Sequence, residues 1–208
     1  MTTDAQVFWD NHYSRRAAAG TPNPVLADLV ADLSPGRALE LACGNGTDSL
    51  WLAERDWTVT AVDVSATAVE RVTERAAAAG LPIDAQRHDL AHSFPTGEFD
   101  LIAALYLHTP LDFPRSAVFA TAAGRLRPGG RLVIVDHGST RPWGWEPSPD
   151  FRYPTPEEVA TGIDLPADCH AAVLERRPRE ATGPDGRRAT VIDNVIVITR
   201  GAPVRELR

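Results

Sequence analysis

The sequence has few cysteines, no excess of basic charge and no long apolar run. Its 208 residues include 2 cysteines, whose positions show neither metal-ligand spacing nor a disulfide framework. The formal net charge of −7 argues against a nucleic-acid or anionic-membrane partner, since both require a basic surface. No stretch approaches the roughly 18 apolar residues of a membrane-spanning helix, and the N-terminus does not resemble a signal peptide. We therefore expect a cytoplasmic protein of one domain, without a nucleic-acid or membrane partner.

Arginines near an apparent turn form the one dense basic cluster of this acidic chain. The cluster comprises Arg176, Arg177, Arg179, Arg187 and Arg188. Runs of like charge beside a turn are typical of a face that is covered by solvent. We predict that these side chains point into solvent.

A short apolar segment followed by two glycines is the most informative stretch of the chain. Residues 38–42 predict a strand that carries one carboxylate, Glu40, and the turn Gly44-Asn45-Gly46 then precedes a helix. Glycine adopts positive φ and lets the backbone approach a ligand closely, and the first N–H groups of the helix point to the same place. The stretch therefore predicts a turn that holds a small ligand.

Apolar periodicity along the rest of the chain predicts alternating strands and helices. Helices are expected over residues 4–19, 25–33, 47–55, 66–79, 115–126 and 157–161, and strands over 38–42, 58–62, 83–88, 100–105, 131–135, 171–176 and 191–199. The alternation implies a doubly wound, mostly parallel α/β sheet of about seven strands, with helices on both faces and an antiparallel hairpin at the end. Ligands of such sheets bind beyond the carboxyl ends of the strands.

Two carboxylates follow the second and third predicted strands. Asp63 and Asp89 would lie along the same crevice as the glycine turn, and Asp63 follows Gly44 by 19 positions. A nucleoside resting on the turn could give its ribose hydroxyls to Asp63, because each carboxylate oxygen accepts from one hydroxyl, and its adenine edge to Asp89. The register of these residues predicts a Rossmann-like nucleoside site.

Seven segments of the chain together match one family pattern. They are Glu40-Leu41-Ala42-Cys43-Gly44-Asn45-Gly46, Val62-Asp63-Val64-Ser65, His88-Asp89-Leu90, Leu126-Arg127-Pro128-Gly129-Gly130, and the segments 8–13, 106–108 and 153–159. With these segments the sequence resembles the class I S-adenosylmethionine-dependent methyltransferases, in their tellurite-resistance-like and thiopurine-methyltransferase-like branch. The resemblance implies S-adenosylmethionine as cofactor and methyl transfer to a small-molecule acceptor. One departure is Ala42, which stands where the family often has its first glycine and crowds the ligand.

The resemblance also implies which residues contact the cofactor. These are Trp9, Tyr13, Glu40, Ala42, Gly44, Asn45, Gly46, Asp63, Val64, Asp89, Leu90 and Leu105. Glu40 would lie near the methionine part of the cofactor, with pairing to backbone or to an arginine as the alternative. Trp9 and Tyr13 would close over its amino-acid end, with simple core packing as the alternative. The resulting single domain divides into a helical cap over 1–35, a cofactor-binding core over 36–139, and an acceptor loop with the terminal hairpin over 140–208.

Two histidines follow the fourth and fifth predicted strands. Methyl transfer from a sulfonium is an in-line displacement, so the protein mainly aligns the reactants and excludes water, and a base matters only when the acceptor holds its proton firmly. His108 and His137 are the candidate catalytic bases, because the topology brings both to the mouth of the cleft and their pKa range suits proton transfer. The alternative is that they shape the pocket. No metal site is expected, since the spacing of the two histidines and Asp136 does not support one.

Aromatic residues of the loop over 140–156 are candidates for the acceptor wall. They are Trp143, Trp145, Phe151 and Tyr153, with anchoring of the loop as the alternative. Two other functions remain open. An NAD(P)-dependent oxidoreductase would require a third glycine where Ser49 stands. A non-catalytic protein would bind the same cofactor without transferring its methyl group.

Overall fold

The computed structural model describes residues 3–15, 20–143, 151–183 and 185–201. Its helices are α1 (Asp4–Ser14), α2 (Pro24–Val30), α3 (Thr47–Ala53), α4 (Ala66–Ala79), α5 (Arg115–Gly124) and α6 (Pro156–Thr161). Its strands are β1 (Arg37–Leu41), β2 (Thr58–Asp63), β3 (Ile83–Arg87), β4 (Phe99–Leu105), β5 (Leu126–His137), β6 (Cys169–Thr182) and β7 (Arg188–Arg200). No helix of the described residues is both long and apolar enough to span a bilayer.

The seven strands form one mixed sheet in the order β3-β2-β1-β4-β5-β7-β6. Strands β1 to β5 run parallel, while β7 pairs antiparallel with β5 and with β6. The predicted doubly wound sheet with an antiparallel finish is confirmed. Because β1 pairs with both β2 and β4, the strand order reverses beside it, and a crevice opens at the carboxyl ends of these strands.

Alternating side chains of the strands build two hydrophobic layers, one on each face of the sheet. On β5, Val133 and Val135 belong to the layer covered by α2 and α3, while Leu132 and Ile134 belong to the layer covered by α5. Successive side chains of a strand point to opposite faces, so a strand buried on both faces is apolar at every position. Phe119 of α5 is among the largest fully buried side chains. The layers hold the strand ends in fixed positions around the crevice.

Helix α4 matches its predicted boundaries because both of its ends carry strong capping residues. The Ser65 hydroxyl accepts a hydrogen bond from the Ala68 N–H at 3.1 Å and caps the first turn. Gly80 has φ +66° and ends the helix in the left-handed conformation that glycine tolerates best. The start of α4 is therefore fixed directly behind Asp63, the last residue of β2.

Other elements differ from their predicted bounds. Residues 127–130, which the predictions leave between the helix over 115–126 and the strand over 131–135, lie within β5, where the register against β4 shifts between Phe99 and Leu101. The terminal strands run far beyond the predicted ranges 171–176 and 191–199, because β6 is an edge strand with mostly exposed side chains and lacks a clear apolar alternation. Helix α1 ends at Ser14, and residues 16–19 of the predicted helix lie outside the described part of the chain.

Candidate functional site

Three residues of the turn after β1 have a left-handed backbone, and one of them is not glycine. Ala42, Gly44 and Gly46 have φ values of +54°, +54° and +70°. A Cβ atom on Gly44 would lie 2.9 Å from the Tyr13 hydroxyl oxygen, and one on Gly46 would lie 2.6 Å from Cγ2 of Val72. Glycine is required at both positions, since a side chain would collide with α1 or with α4. Gly46 thus packs against α4 and does not line the cleft, which differs from its predicted contact with the cofactor.

Asp63 connects the end of β2 to this turn. Its carboxylate accepts hydrogen bonds from the Gly44 N–H at 3.0 Å and the Ser65 N–H at 2.9 Å. Burial raises the pKa of Asp63 to about 6, against the effect of these hydrogen bonds. The backbone N–H of Val64 is a third donor to this carboxylate, so of its four acceptor positions one is left for a ligand hydroxyl.

Two further carboxylates, Glu40 and Asp48, lie on the other side of the turn. Glu40 is buried and accepts a hydrogen bond from the Ser49 hydroxyl, while Asp48 accepts one from the Asn23 N–H at 2.6 Å. Burial, and next the charge of Asp48, raise the pKa of Glu40 well above its usual range, and burial also raises the pKa of Asp48. Glu40 therefore pairs with both the hydroxyl and the backbone N–H of Ser49, which agrees with the backbone alternative, and among the described residues no arginine forms an ion pair with it. A cation placed between the two carboxylates would stabilise their ionised forms.

Helix α1 is attached over the turn by hydrogen bonds. It contains no buried residue, yet the Asp10 carboxylate accepts hydrogen bonds from the Ser65 hydroxyl at 2.6 Å and from the Thr67 N–H at 3.0 Å. Arg71 of α4 donates to the Tyr13 carbonyl at 3.1 Å and to Oδ1 of Asn45 at 2.7 Å. The helix is thus attached to the start of α4 at the rim of the crevice and makes no use of the hydrophobic core.

A cleft of about 850 Å³ opens between α1 and the carboxyl ends of the strands. Every predicted cofactor residue except Gly46 lines it: Trp9, Tyr13, Glu40, Ala42, Gly44, Asn45, Asp63, Val64, Asp89, Leu90 and Leu105. Asp89 begins the tight turn after β3, where its carboxylate accepts from the Ala91 N–H at 3.2 Å. The cleft is also lined by residues that the sequence did not indicate, among them Asn23, Asp48, Tyr106 and Arg179.

A second cavity of about 600 Å³ adjoins the cleft. Tyr106, His108 and Thr109 line both spaces, so the two meet at the end of β4. The remaining wall consists of Pro110, Arg115, Asp136, His137, Arg141, Phe151, Tyr153, Pro154 and Asn194. Phe151 and Tyr153 thus lie where the acceptor wall was predicted. Trp143 lies against Gly183 of the terminal hairpin, and Trp145 is outside the described residues.

The two predicted catalytic histidines lie side by side at the second cavity. Their ring centroids are 5.6 Å apart, and the His137 ring also stacks on Tyr106 with a centroid distance of 4.3 Å. Nε2 of His108 lies 3.4 Å from Oδ1 of Asp136, and that carboxylate also pairs with Arg115. Their positions agree with the predicted topology.

Burial lowers the pKa of both histidines, but their surroundings differ, and so does their capacity to accept a proton. It lowers the pKa of His137 to about 3, with the charge of Arg141 acting in the same direction. Burial also lowers the pKa of His108, but there Asp136 opposes the effect. A ring with a pKa near 3 is a weak base at neutral pH, which departs from the range expected for His137 from its residue type. His108 is the better-placed proton acceptor of the two.

Arg179 is a site residue that sequence reasoning assigned to solvent. Its Nε donates to the Asp193 carboxylate at 2.5 Å, and its Nη2 donates to the Tyr106 hydroxyl at 3.0 Å. Arg176 likewise donates to the Gly138 carbonyl at 3.0 Å. The prediction of a solvent-facing cluster is therefore wrong for Arg179, which is partly buried, while Arg176 is exposed as predicted. Extending β6 to Thr182 would have placed Arg179 inside a strand that pairs with the chain segment carrying Asp193.

Among the described residues, no group of three or more histidine, cysteine or acidic side chains has an arrangement that could hold a metal ion.

A family model and several curated relatives indicate a methyltransferase. A family model described as a methyltransferase domain matches residues 38–130. The chain is 32% identical over 145 residues to the probable thiol methyltransferase 2 of Arabidopsis thaliana, covering 65% of this chain and 63% of that protein. It is 34% identical over 139 residues to the 27-O-demethylrifamycin SV methyltransferase of Amycolatopsis mediterranei, covering 62% of this chain and 49% of that protein. It also matches ribosomal RNA small subunit methyltransferase C of Chromohalobacter salexigens, with 32% identity over 53% of this chain and 34% of that protein. The chain spans about half the length of the curated relatives it matches.

Solved structures share the fold. A structure described under the conversion of a disulfide bond into a thioacetal group during echinomycin biosynthesis has a TM-score of 0.75, with 24% identity over 94% of this chain and 93% of that one. TehB from Haemophilus influenzae has a TM-score of 0.69, with 19% identity over 93% of this chain and 67% of that one. The strand order, the cleft beside the glycine turn and these relatives agree with the family that the sequence resembles. Residues 38–130 match the methyltransferase domain family, and the chain is similar to class I S-adenosylmethionine-dependent methyltransferases.

Proposed function

We propose that this protein transfers the methyl group of S-adenosylmethionine to a small-molecule acceptor held in the second cavity. S-adenosylmethionine is the cofactor of the family, and structural relatives with this fold carry it or its demethylated product. The observation that carries the proposal is the contact between the two spaces. The acidic cleft and the aromatic cavity share Tyr106, His108 and Thr109, so a donor in one can face an acceptor in the other.

The cleft residues then divide the cofactor between them. Glu40 and Asp48 would hold the cationic methionine end, and the Gly44 turn would line the space for the sulfonium. Asp63 would accept from a ribose hydroxyl, because its carboxylate keeps one acceptor position. Asp89, Leu90 and Val64 would hold the adenine. Trp9, Tyr13, Asn45, Ala42 and Leu105 complete the wall.

Closure by α1 prepares the in-line displacement. The Tyr13 hydroxyl lies directly over Gly44, and α1 is held there by Asp10 and Arg71. In this arrangement the lid excludes water from the sulfonium and limits its motion, which is the main catalytic requirement for this reaction. The cap over 1–35, the core over 36–139 and the acceptor part over 140–208 would then act as one catalytic domain.

His108 is the general base that we propose for acceptors with a firmly held proton. It lines both spaces and points Nε2 toward Asp136, which would stabilise the charge that the ring gains on accepting a proton. His137 stacks between Tyr106 and His108 and keeps them in position. An acceptor that is already anionic needs no base, and His108 would then only shape the path.

We further propose that the acceptor is not a nucleic acid and that the protein acts in the cytoplasm without a membrane partner. A ribosomal RNA methyltransferase is among the relatives, so this proposal depends on charge. The net charge of −7 disfavours the broad basic surface that binding to a phosphate backbone requires. A thiol methyltransferase and a rifamycin derivative methyltransferase among the relatives support a small acceptor.

Two measurements test the proposal. Calorimetry should show binding of S-adenosylhomocysteine and none of NAD or NADP. A mass-spectrometric screen with labelled S-adenosylmethionine, covering thiols, oxyanions, phenols and amines, should then yield a methylated product. Tight dinucleotide binding without S-adenosylhomocysteine binding would favour an oxidoreductase. Cofactor binding with no product from any acceptor would favour a non-catalytic binder.

A further inference from the structure

The two spaces at the site have opposite electrostatic character. The cleft is lined by several carboxylates, including Glu40, Asp48 and Asp63, which suits a cationic cofactor. In the second cavity, the described residues contribute only one carboxylate, Asp136, together with the guanidinium groups of Arg115 and Arg141. A positive cavity in a chain with a net charge of −7 requires an explanation.

The positive charge of Arg115 is neutralised by a neighbouring carboxylate. Its Nη2 pairs with the buried Asp136 carboxylate, and its Nε donates to the Leu107 carbonyl at 2.9 Å. Its guanidinium also lies over the Phe119 ring, 4.7 Å from the centroid. Arg115 and Asp136 together therefore contribute no net charge to the cavity.

Arg141 differs because it forms no ion pair with any of the described residues. It lines the cavity beside the two histidine rings, and its charge lowers the pKa of both. His137 stays uncharged at neutral pH, so the neighbouring rings do not compete with Arg141 for an anion. A guanidinium at the wall of a cavity is a bidentate partner for a carboxylate.

The remaining wall fits the flat body of such an anion. Tyr106 and His137 form a stack with an interplanar angle of 22°, and Phe151 and Tyr153 face the same space. Aromatic walls favour planar apolar groups, and a cavity of about 600 Å³ has the size of a typical small-molecule site.

Resting on the proposed function, we infer that the acceptor is a flat molecule that carries a carboxylate, and that Arg141 is the specificity-determining residue that binds this group. The aromatic body packs on Phe151 and Tyr153, and the reacting atom points through the shared wall at His108 toward the sulfonium. A neutral analogue of the same shape loses the ion pair and binds more weakly.

Benzoate and benzamide test this inference, because they share shape and differ in charge. Ligand-observed NMR titrations would use the full chain saturated with S-adenosylhomocysteine. We expect benzoate to bind about tenfold more tightly than benzamide, and Arg141→Gln to remove most of that difference while leaving benzamide unaffected. Arg141→Lys should retain part of it. Arg188→Gln, an exposed arginine of β7 away from both spaces, is the matched control and should behave as wild type.

Three results would overturn the inference: no benzoate binding at millimolar concentration, equal affinity for both probes, or an unchanged benzoate affinity in Arg141→Gln. Thermal denaturation of each variant verifies that it is folded. Failure of the proposed function looks different, since the protein would then not bind S-adenosylhomocysteine. In that case the benzoate and benzamide titrations, repeated without S-adenosylhomocysteine, still decide whether Arg141 binds a carboxylate.

Discussion

Asp63 is the residue at which folding and cofactor binding compete most directly. Its carboxylate has a pKa of about 6, raised by burial from the usual 3.8. The native state thus holds this proton more tightly than the unfolded chain. The group favours folding below about pH 4 and loses that contribution as the pH rises through about 6.

The same pKa predicts how cofactor affinity depends on pH. Ribose hydroxyls need the ionised carboxylate as acceptor, so the affinity for S-adenosylhomocysteine should rise as the pH increases through about 6. Calorimetry one unit above and one unit below this value measures the change. Asp63→Asn should bind more weakly at high pH and lack the rise. If Asp63→Asn kept the wild-type pH dependence of affinity, this dependence would have to come from another carboxylate, such as Glu40.

Ala42 has a left-handed backbone, with φ of +54°, at a position where its family often has glycine. The left-handed conformation costs a residue with a Cβ about 1–2 kcal/mol, while glycine loses about 0.5–1 kcal/mol through chain entropy. We expect Ala42→Gly to raise the free energy of unfolding by about 0.5–1 kcal/mol in urea denaturation. The control Ala85→Gly in β3, which has no positive φ, should lower it by a similar amount. If Ala42→Gly lowered the free energy of unfolding, the left-handed backbone of Ala42 would not be strained.

Substitution of His108 and of His137 should affect different kinetic constants. With a hydroxyl acceptor, His108→Gln should lower kcat by about 10²-fold or more, because a general base contributes at least that factor. His137→Gln should mainly raise KM, since its ring carries the stack on Tyr106 and is too weakly basic to take a proton. Steady-state kinetics of both variants with one acceptor provide the comparison. Equal loss of kcat in both would indicate a shared structural role.

At the scale of elements, α1 is the part of the site with the weakest attachment. It has no buried residue and depends on Asp10, which accepts from the Ser65 hydroxyl and the Thr67 N–H. Elements with few apolar contacts open at low free-energy cost. This suits a lid that must release product.

Asp10→Ala should therefore weaken S-adenosylhomocysteine binding by about tenfold, chiefly through faster dissociation. The thermal midpoint of the unliganded protein should change little, because the core does not involve α1. Stopped-flow displacement gives the dissociation rate. Asn11→Ala, an exposed position of the same helix, is the control. An unchanged dissociation rate in Asp10→Ala would show that α1 does not act as a lid over the cofactor.

The accuracy of the sequence predictions also varied by element, for physical reasons. Helix α4 was predicted to the residue because Ser65 and Gly80 cap it, and β5 was visible as an apolar run buried on both faces. Strand β6 was predicted too short, since an edge strand needs no apolar alternation, and Arg179 was misplaced with it. Cofactor contacts followed from the turn and strand ends, whereas the arginines of the second cavity depend on tertiary packing that the sequence does not encode locally.

At the scale of the whole molecule, the cofactor should bind across the two halves of the sheet and stabilise both. S-adenosylhomocysteine at about 100 times its dissociation constant adds roughly 2.7 kcal/mol to the unfolding free energy. For a chain of 208 residues this corresponds to a rise in the thermal midpoint of roughly 5–10 °C. Differential scanning fluorimetry provides the measurement, with NAD as the control ligand. A rise with NAD and none with S-adenosylhomocysteine would contradict the proposed function.

The shared wall of Tyr106, His108 and Thr109 also has a consequence for inhibitor design. An adenosine fragment joined by a short linker to a benzoate group would occupy both spaces at once. Binding of the first fragment then holds the second at a high effective concentration, which raises the affinity about 10²–10⁴-fold above that of either fragment. The linker itself would cross the path of the methyl group, so its optimal length would measure the distance between donor sulfur and acceptor atom.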